Sequence, residues 1–192
     1  MLVIASENSI LLENLRTAFE GESNVHARYV RFAEEADDEG WRGVGCLFRA
    51  AAFAEQIHAG NHGRILRQLG GITDFVRQPV EVRATLENLR MALAGEMFEV
   101  ETMYPAFVEQ ARQCRDVAVV RTFTWALEAE KTHARLFNEA LALVEFEGNE
   151  SWVTLTRDFY VCPVCGYTSE QEHEAEMCPV CNCAWKRFGV IR

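Results

Sequence analysis

The feature that most constrains the fold is a motif that occurs twice, once in each half of the helical region. Residues 54–59 read Ala-Glu-Gln-Ile-His-Ala, and residues 129–134 read Ala-Glu-Lys-Thr-His-Ala. A second segment, Leu-Glu-Asn-Leu-Arg, occurs at 12–16 and again, at almost the same separation, at 86–90. Self-similarity on this scale indicates a repeated structural unit. The sequence therefore predicts that residues 1–147 are a duplicated pair of helices.

Hydrophobic periodicity predicts four long helices, over about 9–39, 41–69, 80–114 and 116–146, with an extended segment over 72–79. Helices of this length are typical of a bundle. The very short turns near residues 40 and 115 require antiparallel hairpins, whereas the ten residues 70–79, when extended, reach about 33 Å and can cross between hairpins. We expect a mainly α protein with a ferritin-like four-helix bundle over 1–148.

Acidic and histidine residues recur at the same height in the predicted bundle. Glu22 and His58 lie equally far along the chain from the turn at Gly40, and the same symmetry about the second turn pairs Glu96 with His133. At about 1.5 Å per residue these positions lie roughly 22–29 Å from the turns, in the middle of the bundle. The complete set consists of Glu22, Glu55, His58, Glu96, Glu99, Glu130 and His133.

These residues match the ligand plan of a dinuclear metal centre. Two helices carry Glu-x-x-His, and each of the other two carries glutamate, as in carboxylate-bridged di-iron bundles. Burying several carboxylates without a cation would cost several kcal/mol per ion. Oxygen and imidazole ligands suit iron or manganese. Any single glutamate could instead belong to a solvated helix face, but the matched heights favour a metal site.

Three nearby residues are weaker candidates. Glu20 competes with Glu22, but the repeat aligns Glu22 with Glu96, and we choose Glu22. His62 lies one turn after His58 but has phenylalanine at the matching position, so we expect it to be solvated or to support a ligand. We expect His26 to have no role in the site.

Two tyrosines and a proline accompany the predicted ligands. Tyr29 and Tyr104 lie about two turns from ligand positions, where each could donate a hydrogen bond to a carboxylate or pack in the core. Pro105 removes a backbone donor, and we expect a kink in the third helix just after its ligands.

The C-terminal segment carries two Cys-x-x-Cys knuckles, a strong signature of a four-thiolate metal site formed by Cys162, Cys165, Cys178 and Cys181. We expect a small metal-binding β domain over 159–192, joined to the bundle by a linker over 149–158. The spacing is compatible with zinc or iron, and the aromatic surroundings and neighbouring redox site favour iron. Cys46, Cys114 and Cys183 lack ligand spacing and are interpreted as ordinary thiols.

The charge of the chain argues against several classes of partner. A net charge of −10 and a pI near 5.0 disfavour nucleic acids and anionic membrane surfaces. The sequence has no apolar run of the roughly 18 residues that a membrane span needs, and its start lacks the features of a signal peptide. We expect a soluble cytoplasmic protein, in which cysteines serve metal or redox chemistry.

The motifs together resemble the rubrerythrin family, and within it nigerythrin. Those that carry the resemblance are Gly-Glu-Ser at 21–23, the two Glu-x-x-His motifs, Gly-Glu-Met-Phe-Glu at 95–99, Met-Tyr-Pro at 103–105 and the rubredoxin-like knuckles. The resemblance implies a non-haem di-iron peroxidase that reduces hydrogen peroxide to water, with electrons relayed from the rubredoxin-like iron.

The resemblance also implies a role for each ligand. Glu55 and Glu130 would bridge the two irons. Glu22 and Glu99 would bind one iron, and Glu96 and His133 the other. On reduction the first iron would exchange Glu99 for His58.

The resemblance further implies an NADH-linked reductase or a rubredoxin as electron donor. About 24 Å of helix separates Glu130 from the end of the fourth helix, which disfavours electron transfer within one chain. We therefore expect a head-to-tail homodimer. Two alternatives remain: a ferroxidase that handles iron, and a redox sensor whose knuckles bind zinc.

Overall fold

The computed structural model describes residues 2–146, 150–171 and 176–192. Its main helices are α1 (Leu2–Asp38), α2 (Arg42–Gln68), α3 (Thr85–Phe98), α4 (Tyr104–Gln113) and α5 (Val117–Phe146). A π-helical segment, Glu99–Met103, joins α3 to α4. A short helix α6 (Glu150–Thr154) precedes the strands β1 (Phe159–Val161), β2 (Thr168–Ser169) and β3 (Gly189–Ile191). The strands form an antiparallel sheet in the order β2-β1-β3.

The helices form the predicted ferritin-like arrangement of two hairpins with a crossover. At the first turn Gly40 has a φ of 82°, and the Trp41 N–H donates to the Ala36 carbonyl at 2.6 Å, so the chain reverses within a few residues. Residues 71–84 have no regular secondary structure and cross between the hairpins. The third helix begins at Thr85 rather than Val80 because the Asn88 side chain bonds the backbone N–H and carbonyl of Arg83, which holds that residue outside the helix.

The π-helical segment explains why the two halves of the repeat do not keep a single register. Before the segment Glu22 matches Glu96, whereas after it Tyr29 matches Tyr104, and the second pair is one position further apart in the chain than the first. The Tyr104 N–H donates to the Glu99 carbonyl, so this wider turn accommodates one extra residue. The irregularity in this helix therefore begins at Glu99, and the predicted kink at Pro105 stays a prediction. Pro105 lies in the first turn of α4.

Two apolar clusters enclose the middle of the bundle. The first is centred on Tyr29, Phe48 and Phe137, and the second on Tyr104 and Phe123. Along α1 and α2 the predicted ligands fall between the residues of the two clusters, so apolar side chains seal the ligand layer above and below. Among the described residues, no helix has the apolar length that crossing a membrane requires.

The chain after α5 folds back along the bundle. Trp152 of α6 is buried in the first cluster, and the absence of a side chain at Gly43 makes room for it, since a Cβ there would lie 2.6 Å from the Trp152 carbonyl oxygen. From α6 the chain continues to β1, which packs against α2. The segment predicted as a linker over 149–158 thus includes α6, while residue 149 lies outside the described residues. The division into domains stays a prediction.

Candidate metal centres

The seven predicted carboxylate and histidine ligands meet in one buried layer. They come from α1, α2, α3 with its π-helical continuation, and α5. Glu22, Glu55 and Glu130 have no solvent exposure, and Glu99, the most accessible of the seven, is 9% exposed. The three-residue spacing within α2 and α5 places each glutamate beside its histidine.

Glu55 and Glu130 each present one oxygen to each histidine. Glu55 Oε2 lies 2.9 Å from His58 Nδ1, and Glu55 Oε1 lies 3.3 Å from His133 Nδ1. Glu130 Oε1 lies 2.6 Å from His58 Nδ1, and Glu130 Oε2 lies 2.7 Å from His133 Nδ1. The imidazole rings are stacked with their centroids 5.9 Å apart. Two carboxylates that span two imidazoles in this way can be shared between two cations.

The layer divides into two groups that share these carboxylates. Ligand atoms of Glu22, Glu55, His58 and Glu130 lie within 4.8 Å of one another, and so do those of Glu55, Glu96, Glu130 and His133. Glu99 belongs to neither group, although burial, followed by the charges of Glu22 and Glu130, raises its pKa well above the usual value. The structure therefore brings six of the seven predicted ligands into two metal-sized sets, with His58 rather than Glu99 completing the first.

The electrostatics of the layer reflect crowded negative charge. Burial, followed by the charges of Glu55 and Glu130, raises the pKa of Glu22 and of Glu96 well above the usual value. Burial opposes a charged His58, but the charges and hydrogen bonds of Glu130 and Glu55 raise its pKa to about 10. Without a cation, carboxyl groups of the layer therefore tend to stay protonated at neutral pH, where exposed carboxyl groups are ionised.

Metal ions fit this arrangement better than protons do. Each histidine Nδ1 faces three carboxylates but can donate only one hydrogen bond. In the described part of the chain, one buried oxygen from each of four ligands has no hydrogen-bond partner of good geometry: Glu22, Glu55, Glu96 and Glu130. Unpartnered buried carboxylate oxygens are costly. A pair of divalent cations would engage these oxygens and remove the mutual repulsion.

Two buried tyrosines bond to carboxylates across the bundle. The Tyr29 hydroxyl donates to Glu96 Oε1 at 2.5 Å, and the Tyr104 hydroxyl donates to Glu22 Oε1. Burial and the surrounding carboxylates raise the pKa of both phenols well above the usual value. Each phenol therefore remains a protonated donor to a carboxylate of the opposite hairpin.

The second nitrogen of each histidine faces the cysteine knuckle of the same chain. His58 Nε2 lies 3.0 Å from the Cys165 carbonyl, and His133 Nε2 lies 3.1 Å from Thr168 Oγ1. A proton on Nε2 leaves the Nδ1 lone pair for a metal. The expectation that the two sites are far apart within one chain was wrong, because α6 and β1 bring the knuckle back along α2.

Gly166 allows this close approach. It has a φ of 80°, and a Cβ at this position would lie 2.3 Å from His58 Nε2. The equivalent position of the second knuckle, Asn182, has a φ of 59° without glycine. Left-handed backbone alone therefore does not require glycine, whereas contact with the imidazole does.

The four knuckle cysteines form a third metal-sized set. Their ligand atoms lie within 4.8 Å of one another, with Cys162 Sγ 3.5 Å from Cys181 Sγ and Cys165 Sγ 3.6 Å from Cys178 Sγ. Hydrogen bonds from Cys162 and Cys165 lower the pKa of Cys178. The sulfurs thus share protons, which a thiophilic cation would replace. Trp125 of α5 packs against this cluster.

Residues outside the predicted ligand sets have clear environments. Glu20 forms a surface ion pair with Arg16 at 2.8 Å, consistent with the choice of Glu22. His26 Nδ1 bonds the Ala52 carbonyl at 2.7 Å and joins α1 to α2. The suggestion that His62 is solvated was wrong, because it is fully buried against Tyr104.

Sequence reasoning missed two contributors to the contact between bundle and knuckle. Asn61 Nδ2 donates to the Val164 carbonyl at 2.8 Å, and Gly166 leaves room for His58. Asn61 follows His58 by three residues and so shares its helix face. That spacing was the available signal, but it could not specify the knuckle as partner.

Known proteins share both the sequence and the fold. The rubrerythrin family profile matches residues 13–141. Rubrerythrin-2 of Clostridium acetobutylicum is 37% identical over 186 residues, covering 96% of this chain and 98% of that protein. Nigerythrin of Nitratidesulfovibrio vulgaris is 34% identical over 172 residues, covering 88% of this chain and 81% of its own length.

Solved structures agree with this relationship. Fully reduced, all-ferrous nigerythrin superimposes with a TM-score of 0.81 at 31% identity, covering 94% of this chain and 86% of that one. Desulfovibrio desulfuricans bacterioferritin, at 18% identity and a TM-score of 0.72 over 80% of this chain and 90% of its own, shares the fold. The carboxylate and histidine layer is a di-iron site, and the four cysteines form a rubredoxin-like metal site. The protein therefore belongs to the rubrerythrin family of di-iron oxidoreductases.

Proposed function

We propose that this oxidoreductase reduces hydrogen peroxide to water, with electrons relayed from the four-cysteine iron site to the di-iron site. The observation that carries the proposal is the contact between the sites, in which His58 Nε2 lies 3.0 Å from the Cys165 carbonyl of the same chain. A protein that only stores or oxidises iron has no need of a thiolate site against its di-iron ligands.

We assign the ligand roles as follows. Glu55 and Glu130 would be shared by both irons, which is supported by the two oxygens that each presents to the two histidines. Glu22 would hold the first iron, with Glu99 and His58 as alternative ligands. Glu96 and His133 would hold the second. His58 in its present position matches the arrangement proposed for the reduced centre.

The protein provides a dry, protonated environment for peroxide reduction. When bound, two ferrous ions would together supply the two electrons that cleavage of the O–O bond consumes. The hydroxyls of Tyr29 and Tyr104 donate hydrogen bonds to Glu96 Oε1 and Glu22 Oε1, so each phenol keeps a proton beside the centre. The apolar clusters on either side exclude bulk water, which limits the escape of reactive oxygen species.

We expect the electron donor to approach a basic groove beside the second knuckle. The groove has a volume of about 870 Å³ and is lined by Arg112, Arg121, Trp125, Arg135 and Pro179, among others. Arg121 stacks over Trp125, which packs against the cysteine cluster. In a chain of net charge −10 this patch favours an acidic donor, such as a rubredoxin or the acidic face of an NADH-linked reductase.

A head-to-tail homodimer and a cytoplasmic location remain predictions. The dimer was inferred from the length of α5, and the contact within one chain removes that reason without excluding a dimer. A reducing compartment suits a site built from four thiolates.

Stopped-flow spectroscopy tests the peroxidase function. Protein with ferrous iron in the di-iron site is mixed with hydrogen peroxide or with oxygenated buffer, and reoxidation is followed by absorbance. We expect peroxide to react faster than oxygen. Faster reaction with oxygen would favour the ferroxidase alternative. Zinc in the knuckles of protein purified from iron-replete cells would favour the sensor alternative.

A matched pair of samples isolates the relay. In protein with iron in both sites, peroxide should oxidise the di-iron site first and the tetrathiolate iron afterwards. Protein with zinc in the knuckles should lose only the second phase. Oxidation of the tetrathiolate iron before the di-iron site would contradict the relay.

A further inference from the structure

His62 connects a terminal carboxylate of the di-iron site to the opposite wall of the bundle. It is fully buried one turn after His58 on α2. Its Nε2 lies 3.0 Å from the Tyr104 hydroxyl, and its Nδ1 lies 3.0 Å from Thr122 Oγ1. Tyr104 in turn donates to Glu22 Oε1. These residues form a continuous chain of hydrogen bonds from α5 to Glu22.

The proton positions in this chain follow from its two ends. Burial lowers the pKa of His62 to about 3, so the ring is neutral and carries one N–H. The single Tyr104 proton points at Glu22, so the phenol oxygen accepts from His62 Nε2–H. Nδ1 must then accept from the Thr122 hydroxyl. Every donor in the chain therefore points toward Glu22.

The duplicated half of the bundle lacks this arrangement. In the register that pairs Tyr104 with Tyr29, His62 corresponds to Phe137 and Thr122 to Leu47. The Tyr29 ring packs against Phe137 with centroids 5.4 Å apart, much as Tyr104 packs against His62 at 5.9 Å. The two tyrosines thus have similar positions, but Tyr104 packs against a hydrogen-bond donor, His62, whereas Tyr29 packs against the hydrocarbon ring of Phe137.

We infer that His62 is a positioning residue that fixes the Tyr104 hydroxyl on Glu22 and thereby makes the two metal positions unequal. With its oxygen occupied by His62, the Tyr104 hydroxyl cannot rotate away from the carboxylate. Hydrogen bonds in such a chain also strengthen one another. Within the described part of the chain, Tyr29 has neither constraint. His62 acts in this way whether or not the oxidant is peroxide.

Infrared spectroscopy of the metal-free protein tests the hydrogen-bond pattern. The chain has four tyrosines, so difference spectra against Y104F and Y29F isolate the two phenol C–O stretches. We expect Tyr104, as donor and acceptor, to absorb at a different frequency from Tyr29, as donor only. H62F should move the Tyr104 band toward that of Tyr29, whereas H62Q, which keeps an N–H donor, should not. Equal bands in the unsubstituted protein would overturn the inference.

Cobalt binding tests the consequence for the metal site. Titration of metal-free protein with Co²⁺, followed by visible absorption, gives an affinity for each position, and Y104F and Y29F identify which is which. We expect H62F to weaken only the position that Y104F weakens, by about tenfold, and H62Q to restore it. In a Y104F background H62F should have no further effect.

Urea unfolding of each variant provides the control for global damage. Equal weakening of both positions by H62F, or an undiminished H62F effect without the Tyr104 hydroxyl, would show a merely structural role and overturn the inference. No change in cobalt affinity at either position would overturn it as well.

Discussion

Replacing Gly166 should separate the two metal sites without unfolding either one. A Cβ at this position would lie 2.3 Å from His58 Nε2. Ordinary van der Waals contact between these atoms needs about 1 Å more. The imidazole is fixed by Glu55 and Glu130, so we expect the knuckle to withdraw rather than the histidine to move.

The magnitude follows from the hydrogen bonds that such a withdrawal breaks. Moving the knuckle by about 1 Å would stretch the contact of His58 with the Cys165 carbonyl, now 3.0 Å, and that of Asn61 with the Val164 carbonyl, now 2.8 Å, beyond hydrogen-bond range. Each such bond contributes about 0.5–1.5 kcal/mol. Gly166→Asn should therefore lower the free energy of unfolding by roughly 1–3 kcal/mol.

The second knuckle offers a matched control. Asn182 occupies the equivalent position with a φ of 59°, so asparagine itself is compatible with this backbone. Gly166→Asn thus introduces the close contact with little backbone strain. Asn182→Ala introduces strain of about 1–2 kcal/mol without that contact. A comparison of the two variants separates conformational strain from loss of docking.

The assay is electron transfer between the sites. After peroxide oxidises the di-iron site, the growth of ferric tetrathiolate absorbance reports transfer from the knuckle. We expect Gly166→Asn to slow this phase and Asn182→Ala to leave it near the original rate. Urea unfolding measures the accompanying loss of stability. A Gly166→Asn protein with undiminished transfer and stability would refute the reasoning.

Three other predictions concern the metal layer and the groove. His58→Ala should retain both irons when oxidised but lose iron on reduction, as measured by metal content in each state; equal loss in both states would contradict the ligand exchange. Calorimetry of the metal-free protein should show a melting temperature that falls as the pH rises from about 5 to 8. The pKa of Glu22 is raised above 4.5 in the folded state, so ionisation of this carboxyl group favours the unfolded chain. With iron bound, the melting temperature should instead rise with pH, because metal binding releases protons. Arg121→Glu should slow reduction of the tetrathiolate iron by an acidic donor at low ionic strength, whereas Arg31→Glu, which lies outside the groove, should not. Added salt should reduce the difference in rate between the two variants. Equal rates at low salt would exclude the groove as the docking surface of the donor.

The bundle and its ligand layer were predictable because helical spacing transmits position over long distances. A rise of about 1.5 Å per residue is nearly constant, so counting outward from Gly40 places Glu22 beside His58 without a structure. The Cys-x-x-Cys spacing is similarly local. In both cases the geometry depends on regular backbone between a turn and a side chain.

The contact between the sites was not predictable by the same reasoning. It depends on how residues after α5 pack, and the anchor, Trp152, lies in a segment without strong periodicity. The length of α5 alone predicted that the two metal sites are far apart, but the chain after α5 folds back along the bundle and brings them together. His62 was similarly ambiguous, because its burial depends on Tyr104 and Thr122 from other helices.

The π-helical segment marks the place where the two halves of the chain stop being copies. Glu99 has no acidic counterpart in the first half, because one register of the repeat aligns it with Asn24 and the other aligns it with Val25. One extra residue thus accompanies a carboxylate that the first half does not offer, while Tyr104 keeps the place that corresponds to Tyr29. A tandem duplication by itself yields two interchangeable metal positions. An insertion confined to one turn is a small evolutionary step by which such symmetry is broken, and under the proposed ligand roles it gives the two irons different ligands.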